Sequence, residues 1–323
     1  MNIQDACIQI KKHHRGRRFA MKTQQKLNLS LQSYIRINYT SWEYDASDAE
    51  KAKSKAEIAA ILKNARSDNP QCDAGLLQKI RKIDSSSELW DEEQTTEEKE
   101  MVRIVKTLPI APWVKSVRGA GEKGIATVIG EAGNLSNYPT IEKLWKRLGF
   151  APYDGHAGST WRRPTWSPRS LTADEWVANP FSKERYSFMQ QNALALWKSQ
   201  WIGKKADPDH KGKPNGHYGE IFARRKAHTL QVHPEWYLDK DGKMKIDPET
   251  GNPTSAHVQA DALRVMYKYF LRDLWSEWRR ATPYLAEKPK STVPADPILS
   301  PPVPPIGCVS KRQTCHALAD LLT

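Results

Sequence analysis

Apolar residues recur at helical spacing over most of this 323-residue chain. Near the N-terminus the recurring positions are Leu27, Leu31, Tyr34 and Ile35. The clearest pattern covers residues 256–281, where five large apolar side chains share one face: Leu263, Met266, Phe270, Leu274 and Trp278. Because residues three, four and seven positions apart lie on one side of an α-helix, we predict helices in both regions. The apolar face of the second helix should lie in the core.

Signals for helix ends subdivide the N-terminal 107 residues. Ser47 and Glu50 have the spacing of a capping box, which predicts a helix start, and Asn69-Pro70 predicts its end. Small residues recur along this helix: Ala49, Ala52, Ala56, Ala59 and Ala60. A row of small side chains permits close approach of a second helix, so we expect a helical hairpin or coiled-coil arm over residues 1–107.

Between Pro109 and Gly133 two short predicted helices flank the glycine pair Gly119 and Gly121. Their apolar positions can form one seam: Val114, Val117, Ile125, Val128 and Ile129. Glycines let backbone N–H groups approach a phosphate without an intervening Cβ. The second helix begins at Glu122, and its N-terminal dipole also favours an anion. The pattern predicts a helix-hairpin-helix at about residues 110–133. Such a motif binds the DNA backbone without recognising the base sequence. The alternative is an ordinary helix turn that contains glycine.

The remaining pattern predicts a mainly α fold in three parts. A compact helical domain, residues 108–285, follows the arm and contains the helix-hairpin-helix. Within it we predict an irregular segment at 151–182, rich in Pro, Trp and Arg, and a helix at 183–201. Seven of residues 289–305 are proline, so residues 286–323 are expected to form a disordered tail.

The charge balance favours a polyanionic partner. The chain has 50 Lys and Arg against 37 Asp and Glu, a net charge of +13, and basic side chains that neutralise phosphates release counterions. The alternative is a basic protein whose charge is incidental. The candidate contacts to DNA or structured RNA are the hairpin residues and three basic groups: Arg118, Gly119, Gly121, Lys123 and Gly124; Lys11, Lys12, Arg15, Arg17 and Arg18; Arg162 and Arg163; Arg224, Arg225 and Lys226.

Other functional classes find little support in the sequence. The four cysteines fit no zinc module, and the histidine spacings indicate no metal site. No apolar run reaches the length of a membrane span, and the N-terminus lacks the apolar segment of a secretory signal. We therefore expect a cytoplasmic, bacterial or phage-encoded protein associated with the nucleoid, without a membrane and without a cofactor of its own.

Residues 109–152 resemble the C-terminal domain of the insertion-sequence transposases of the bridge-RNA type, which combine a RuvC-like DEDD domain with a serine-bearing domain. The similarity extends loosely to about residue 201, and the basic N-terminal helices are similar to the helical insertion that precedes this domain. The matching segments are the hairpin Gly119–Gly121, the helix Thr127–Gly133, the turn Leu135–Pro139 and the end Gly149–Pro152. The resemblance implies DNA recombination, pairing of domains across subunits and, in some members, an RNA guide.

Two departures from that family limit the activity that the resemblance implies. The chain lacks the opening strand and first aspartate of the DEDD domain, so Mg²⁺ would enter only with a partner domain. The family's Ser-Gly dipeptide is Ala157-Gly158 here, which leaves Ser159 as the local candidate nucleophile. A serine that attacks DNA needs activation and a correctly held phosphate. We expect no catalysis by this chain alone.

Three hypotheses follow from the sequence. The first is a transposase-like DNA-binding protein that acts in transposition, is incomplete or depends on a partner, and forms a homo-oligomer through its N-terminal helices. The second is a non-catalytic helix-hairpin-helix accessory protein of a mobile element or phage. The third is a helical protein–protein scaffold.

Overall fold

The computed structural model describes residues 2–40, 46–153, 156–157, 173–203, 212–239, 241–247 and 253–282, without the side chains of residues 152–183. This part of the chain is mainly helical, as predicted. Its nine α-helices are α1 Ile3–Tyr39, α2 Asp48–Ala65, α3 Ala74–Val105, α4 Ala111–Ser116, α5 Glu122–Ala132, α6 Ile141–Arg147, α7 Ala173–Ser199, α8 His217–Val232 and α9 Ala256–Ala281. Two antiparallel pairs of very short strands are β1 Pro152–Tyr153 with β2 His156–Ala157, and β3 Trp201–Ile202 with β4 Lys213–Pro214.

The arm is built from the long helices α1 and α3, with α2 packed at the far end. The predicted capping box begins α2: the Glu50 amide donates to Ser47 Oγ at 3.3 Å, and the Ser47 amide donates to Glu50 Oε2 at 2.7 Å. The distal core is apolar and consists of Leu31, Ile35, Ile58, Ala65, Leu76 and Ile80. The expected helix contact through the alanine row of α2 is wrong within this chain, because those alanines are exposed. The larger Ile58 buries more apolar surface on the opposite face.

The main core joins the arm to the rest of the chain. Ala6, Cys7 and Ile10 of α1 pack in the same apolar cluster as Ile104 and residues of α4–α9. The compact unit therefore runs from Met1 to Ala286, and the predicted boundary at residue 107 falls inside it. The bounds of α9 agree with the prediction, and its apolar stripe is buried apart from Leu263, which is partly covered.

Helix α7 begins at Ala173, ten residues before the predicted start. The segment predicted to be irregular, residues 151–182, includes Pro180, and proline lacks the amide proton that a helix interior uses. The expected irregular segment lies partly outside the described residues, and the expected disordered tail lies wholly outside them. In the described part of the chain, no helix is both long enough and apolar enough for a bilayer crossing.

Gly130 sets the close approach of α1 to α5. A Cβ built at this position would lie 2.5–2.8 Å from three atoms of His14, including its Cβ. We expect Gly130→Ala to lower the free energy of unfolding by about 1–3 kcal/mol through overpacking. Gly124→Ala on the same helix is the matched control, since the added Cβ meets Asn192 only at 3.7 Å. Alanine there should stabilise by about 0.5–1 kcal/mol. Denaturant unfolding of the two variants measures these opposite changes in the free energy of unfolding. Equal changes in the two variants would contradict the packing argument.

Candidate nucleic-acid interface

The corner, residues 117–121, joins α4 to α5 and is docked against the C-terminal end of α7. Gly119 has φ +85°, a left-handed conformation that favours glycine. The Arg118 carbonyl accepts a hydrogen bond from Gln200 Nε2 at 2.7 Å. The Gly124 carbonyl, in the first turn of α5, accepts one from Asn192 Nδ2 at 3.1 Å. The corner and the first turn of α5 are therefore held by hydrogen bonds from Gln200 and Asn192 to backbone carbonyl groups.

The backbone amides at the start of α5 are only partly hydrogen-bonded. The Ala120 amide donates to the Val117 carbonyl at 3.0 Å, and the Gly124 amide donates to the Gly121 carbonyl at 2.9 Å. The intervening amides of Gly121, Glu122 and Lys123 have no acceptor among the described residues. Gly121 is the N-cap residue of α5 and carries no capping side chain. Three successive donors at a helix N-terminus form an arrangement that suits an anion.

A cavity of about 380 Å³ opens at this helix start. Gly121, Lys123 and Gly124 line one side, and Asn192 of α7 and Arg17 of α1 line others. The Arg17 side chain is only 7% exposed, and its Nη1 is buried without a hydrogen-bond partner. A buried donor without an acceptor costs about 1–3 kcal/mol. A bound anion in the cavity would supply an acceptor close to this guanidinium.

Glu98 connects the buried arginine to the exposed rim of the cavity. Its carboxylate accepts from Arg17 Nε at 2.7 Å and lies 2.6 Å from Lys123 Nζ. Burial alone would raise the pKa of Glu98, but the hydrogen bonds and charges of Lys123 and Arg17 outweigh it and hold the pKa below its usual value. Glu98 therefore stays ionised and is outnumbered by cations, so the rim keeps a positive charge.

A basic groove extends from Lys123 along the last turns of α3. Its cationic side chains are Lys99, Arg103, Lys106 and Lys123. Arg103 is also paired with Glu100 at 2.8 Å. Sequence analysis missed the three α3 residues because they follow an acidic stretch. Their periodic spacing at i, i+4 and i+7 on one predicted helix was the signal that could have found them.

The basic cluster predicted on α1 is divided by the fold. Arg17 pairs with Glu98, and Arg18 pairs with Glu184 and Glu131. Both arginines are therefore part of the packed structure. Three other members of the cluster have no carboxylate partner among the described residues: Lys11, Lys12 and Arg15.

The predicted contacts on α8 do not line the cavity at the corner. In α8, Arg224 is exposed, whereas Arg225 Nε lies 2.6 Å from Asp261 of α9. Burial lowers the pKa of Lys226, whose carbonyl accepts a hydrogen bond from the Tyr237 hydroxyl. Ser159, Arg162 and Arg163 lie outside the described residues.

Neither metal chemistry nor a known relative identifies the site. Within the described ranges no three His, Cys, Asp or Glu side chains converge as a metal-binding group. No protein-family model, curated protein or solved structure matches this chain. The assignment of the corner as a DNA-binding hairpin therefore stays a prediction.

The two corner glycines differ in what they tolerate. At Gly119, with its positive φ, an added Cβ would lie 2.7 Å from the Ser199 Cβ. At Gly121, with φ −70°, it would meet nothing within 4 Å. We expect Gly119→Ala to destabilise by about 1–3 kcal/mol, and the matched Gly121→Ala to cost less than about 1 kcal/mol. Thermal unfolding compares the two. A Gly119→Ala midpoint equal to that of Gly121→Ala would show that the corner is not packed as described.

Proposed function

We propose that this chain binds the phosphate backbone of double-stranded DNA at the N-terminus of α5. The observation that carries the proposal is the set of three amides, at Gly121, Glu122 and Lys123, without acceptors among the described residues. Backbone donors and the helix dipole act together on an anion at such a position. They contact phosphate and not base edges, so binding should depend little on sequence.

The surface around these amides supports an extended polyanion. Arg118 and Lys123 are exposed beside them, and the basic groove continues from Lys123 along α3. Glu122, in the first turn of α5, opposes an anion at short range. The surrounding cations and the net charge of +13 outweigh Glu122 and the paired Glu98 in the long-range attraction of a duplex.

A salt titration tests the proposal. The affinity for a labelled duplex of random sequence is measured by fluorescence anisotropy between 50 and 200 mM NaCl. We expect log Kd to rise with log salt, with a slope of about 0.9 for each phosphate contacted. Single-stranded DNA and structured RNA are compared in parallel. Binding that does not change over this salt range, or no binding at 50 mM salt, would contradict the proposal.

The resemblance of residues 109–152 to insertion-sequence transposases supports a role in DNA recombination as the wider setting. On this proposal the chain holds DNA, and a partner domain supplies the metal and the chemistry. Strand cleavage or joining with Mg²⁺ is assayed for the chain alone and for Ser159→Ala. If the native chain alone cleaves or joins DNA and Ser159→Ala does not, the chain has a catalytic role and the proposed binding role is replaced.

Self-association through the N-terminal helices belongs to the same proposal. Phe19 of α1 and Leu89 of α3 are 63% and 67% exposed, and a second copy would cover such apolar side chains. Light scattering after size exclusion should give a mass above 36.8 kDa, and Phe19→Ser should lower it. A monomer at all concentrations would refute self-association without affecting DNA binding.

A further inference from the structure

The far end of α5 carries a second concentration of positive charge, centred on Glu131. This carboxylate is 3% exposed. Its Oε1 lies 2.9 Å from His14 Nε2 and 3.4 Å from Arg18 Nη1, and its Oε2 lies 3.2 Å from Arg185 Nε. The Glu131 carbonyl also accepts a hydrogen bond from Arg147 Nε at 3.0 Å. Helices α1, α6 and α7 thus all bring basic side chains to this point.

Further cations lie beside the same carboxylate on α1 and α6. Lys11 and Arg15 have no carboxylate partner among the described residues, and Arg147 contacts Glu131 only through its backbone carbonyl. Burial, followed by the positive charges of Arg147, Arg15 and Arg185, lowers the pKa of Lys11. Lys11 and Arg15 lie on the face of α1 from which His14 and Arg18 reach Glu131, because the four positions are spaced i, i+3, i+4 and i+7. Glu131 is already shared by His14, Arg18 and Arg185, so the group has an excess of positive charge.

The geometry of Arg147 leaves it suited to a ligand. Its Nε is used by the Glu131 carbonyl, which fixes the side chain. The Nη groups of a guanidinium held in this way can donate in parallel to two oxygens of one phosphate. Lys11 and Arg15 are one turn apart on α1, so their side chains project from the same face.

We propose that Lys11, Arg15 and Arg147 form a second phosphate-binding site at the C-terminal end of α5. The phosphate group comes either from a nucleic-acid backbone or from free phosphate. This site is separate from the one at the α5 N-terminus. The inference rests on the proposed function only if the phosphate belongs to a nucleic acid. The ends of α5, an eleven-residue helix, are about 15 Å apart at a rise of about 1.5 Å per residue, so a short duplex is long enough to reach both sites.

The test uses Lys11→Gln/Arg15→Gln/Arg147→Gln and a control with the same loss of three charges on α2, Lys51→Gln/Lys53→Gln/Lys55→Gln. Duplex affinity is measured by anisotropy against salt, and inorganic phosphate binding by the shift in unfolding temperature. We expect the first variant to bind duplex at least tenfold more weakly, with a smaller salt slope, and the control to change less than twofold. Arg15→Gln alone should also weaken duplex binding. Because Arg15 is exposed, this substitution leaves the packing of the core unchanged.

The outcomes separate this inference from the proposed function. Equal weakening in the triple variant and its control would overturn the second site. A loss of duplex binding in Gly121→Asp but not in the triple variant excludes nucleic acid as the ligand of the second site and leaves the proposed function intact. A loss only in the triple variant supports the second site and contradicts binding at the α5 N-terminus. If neither variant affects duplex binding but the triple variant abolishes stabilisation by inorganic phosphate, free phosphate is the ligand. If no phosphate-bearing probe distinguishes the triple variant from the control, the site is refuted.

Discussion

Glu131→Gln is expected to lower the free energy of unfolding by about 3–5 kcal/mol, the range for removing one partner of a buried ionic network. The carboxylate is almost fully buried and is shared by His14, Arg18 and Arg185. Glutamine has nearly the same volume as glutamate but carries no charge. Its NH₂ group would face the N–H donors of His14, Arg18 and Arg185. Urea unfolding measures the change. Glu100→Gln, which removes an exposed partner of Arg103 on α3, is the matched control and should leave the midpoint unchanged.

The pH dependence gives a second test of the same interaction. Burial raises the pKa of Glu131, but the hydrogen bond from His14 and the charges of His14, Arg18 and Arg185 outweigh it, so the pKa lies below its ordinary value of 4.5. A lowered folded-state pKa stabilises the fold fully above the unfolded value and less as pH falls through the folded value. The difference between the native chain and Glu131→Gln should therefore shrink as the pH falls below 4.5. A difference that persists unchanged at pH 3 would show that charge is not its cause.

Gly121→Asp is expected to weaken duplex binding at least tenfold, about 1.4 kcal/mol, without loss of stability. An aspartate at this N-cap position can accept hydrogen bonds from the amides that we assign to phosphate, and it adds a negative charge. Its capping should raise helix stability by a few tenths of a kcal/mol. The salt slope should also fall, because the added carboxylate cancels part of the positive charge that neutralises phosphate. Anisotropy and thermal unfolding on one preparation measure both effects.

Two further substitutions at the same position serve as controls. Gly121→Ala adds a methyl group but no competing acceptor for the amides, so duplex affinity should fall by less than in Gly121→Asp. Gly121→Asn caps the amides without adding charge and should give an intermediate loss. Duplex affinity that is the same in the Asp and Ala variants would show that these amides do not contact phosphate.

The predictions from sequence succeeded where neighbouring residues along the chain decide the structure. The stripe on α9 and the capping box of α2 depend on spacings of a few residues. The corner glycines were identified for the same reason, although the support of Gly119 by α7 was not visible.

The partners of the charged residues could not be predicted in the same way. Arg17 and Glu98 are 81 residues apart, and Arg18 and Glu184 are 166 apart. Sequence analysis assigned both arginines to a DNA surface because nothing local shows which carboxylates they meet. Opposite charge on α1 and on the acidic stretch of α3 was a usable signal, but only after the two helices were known to pack together. Glu131 was missed because a single acid in an apolar helix has no local counter-charge.

The most direct test of the account follows the backbone amides of Gly121, Glu122 and Lys123 by NMR in isotope-labelled protein while duplex DNA is added. We predict that these three resonances shift together and saturate with the Kd measured by anisotropy. The Glu122 and Lys123 resonances should shift less at the same duplex concentration in Gly121→Asp. Saturating duplex that moves other resonances but leaves these three unchanged would contradict phosphate binding at the start of α5.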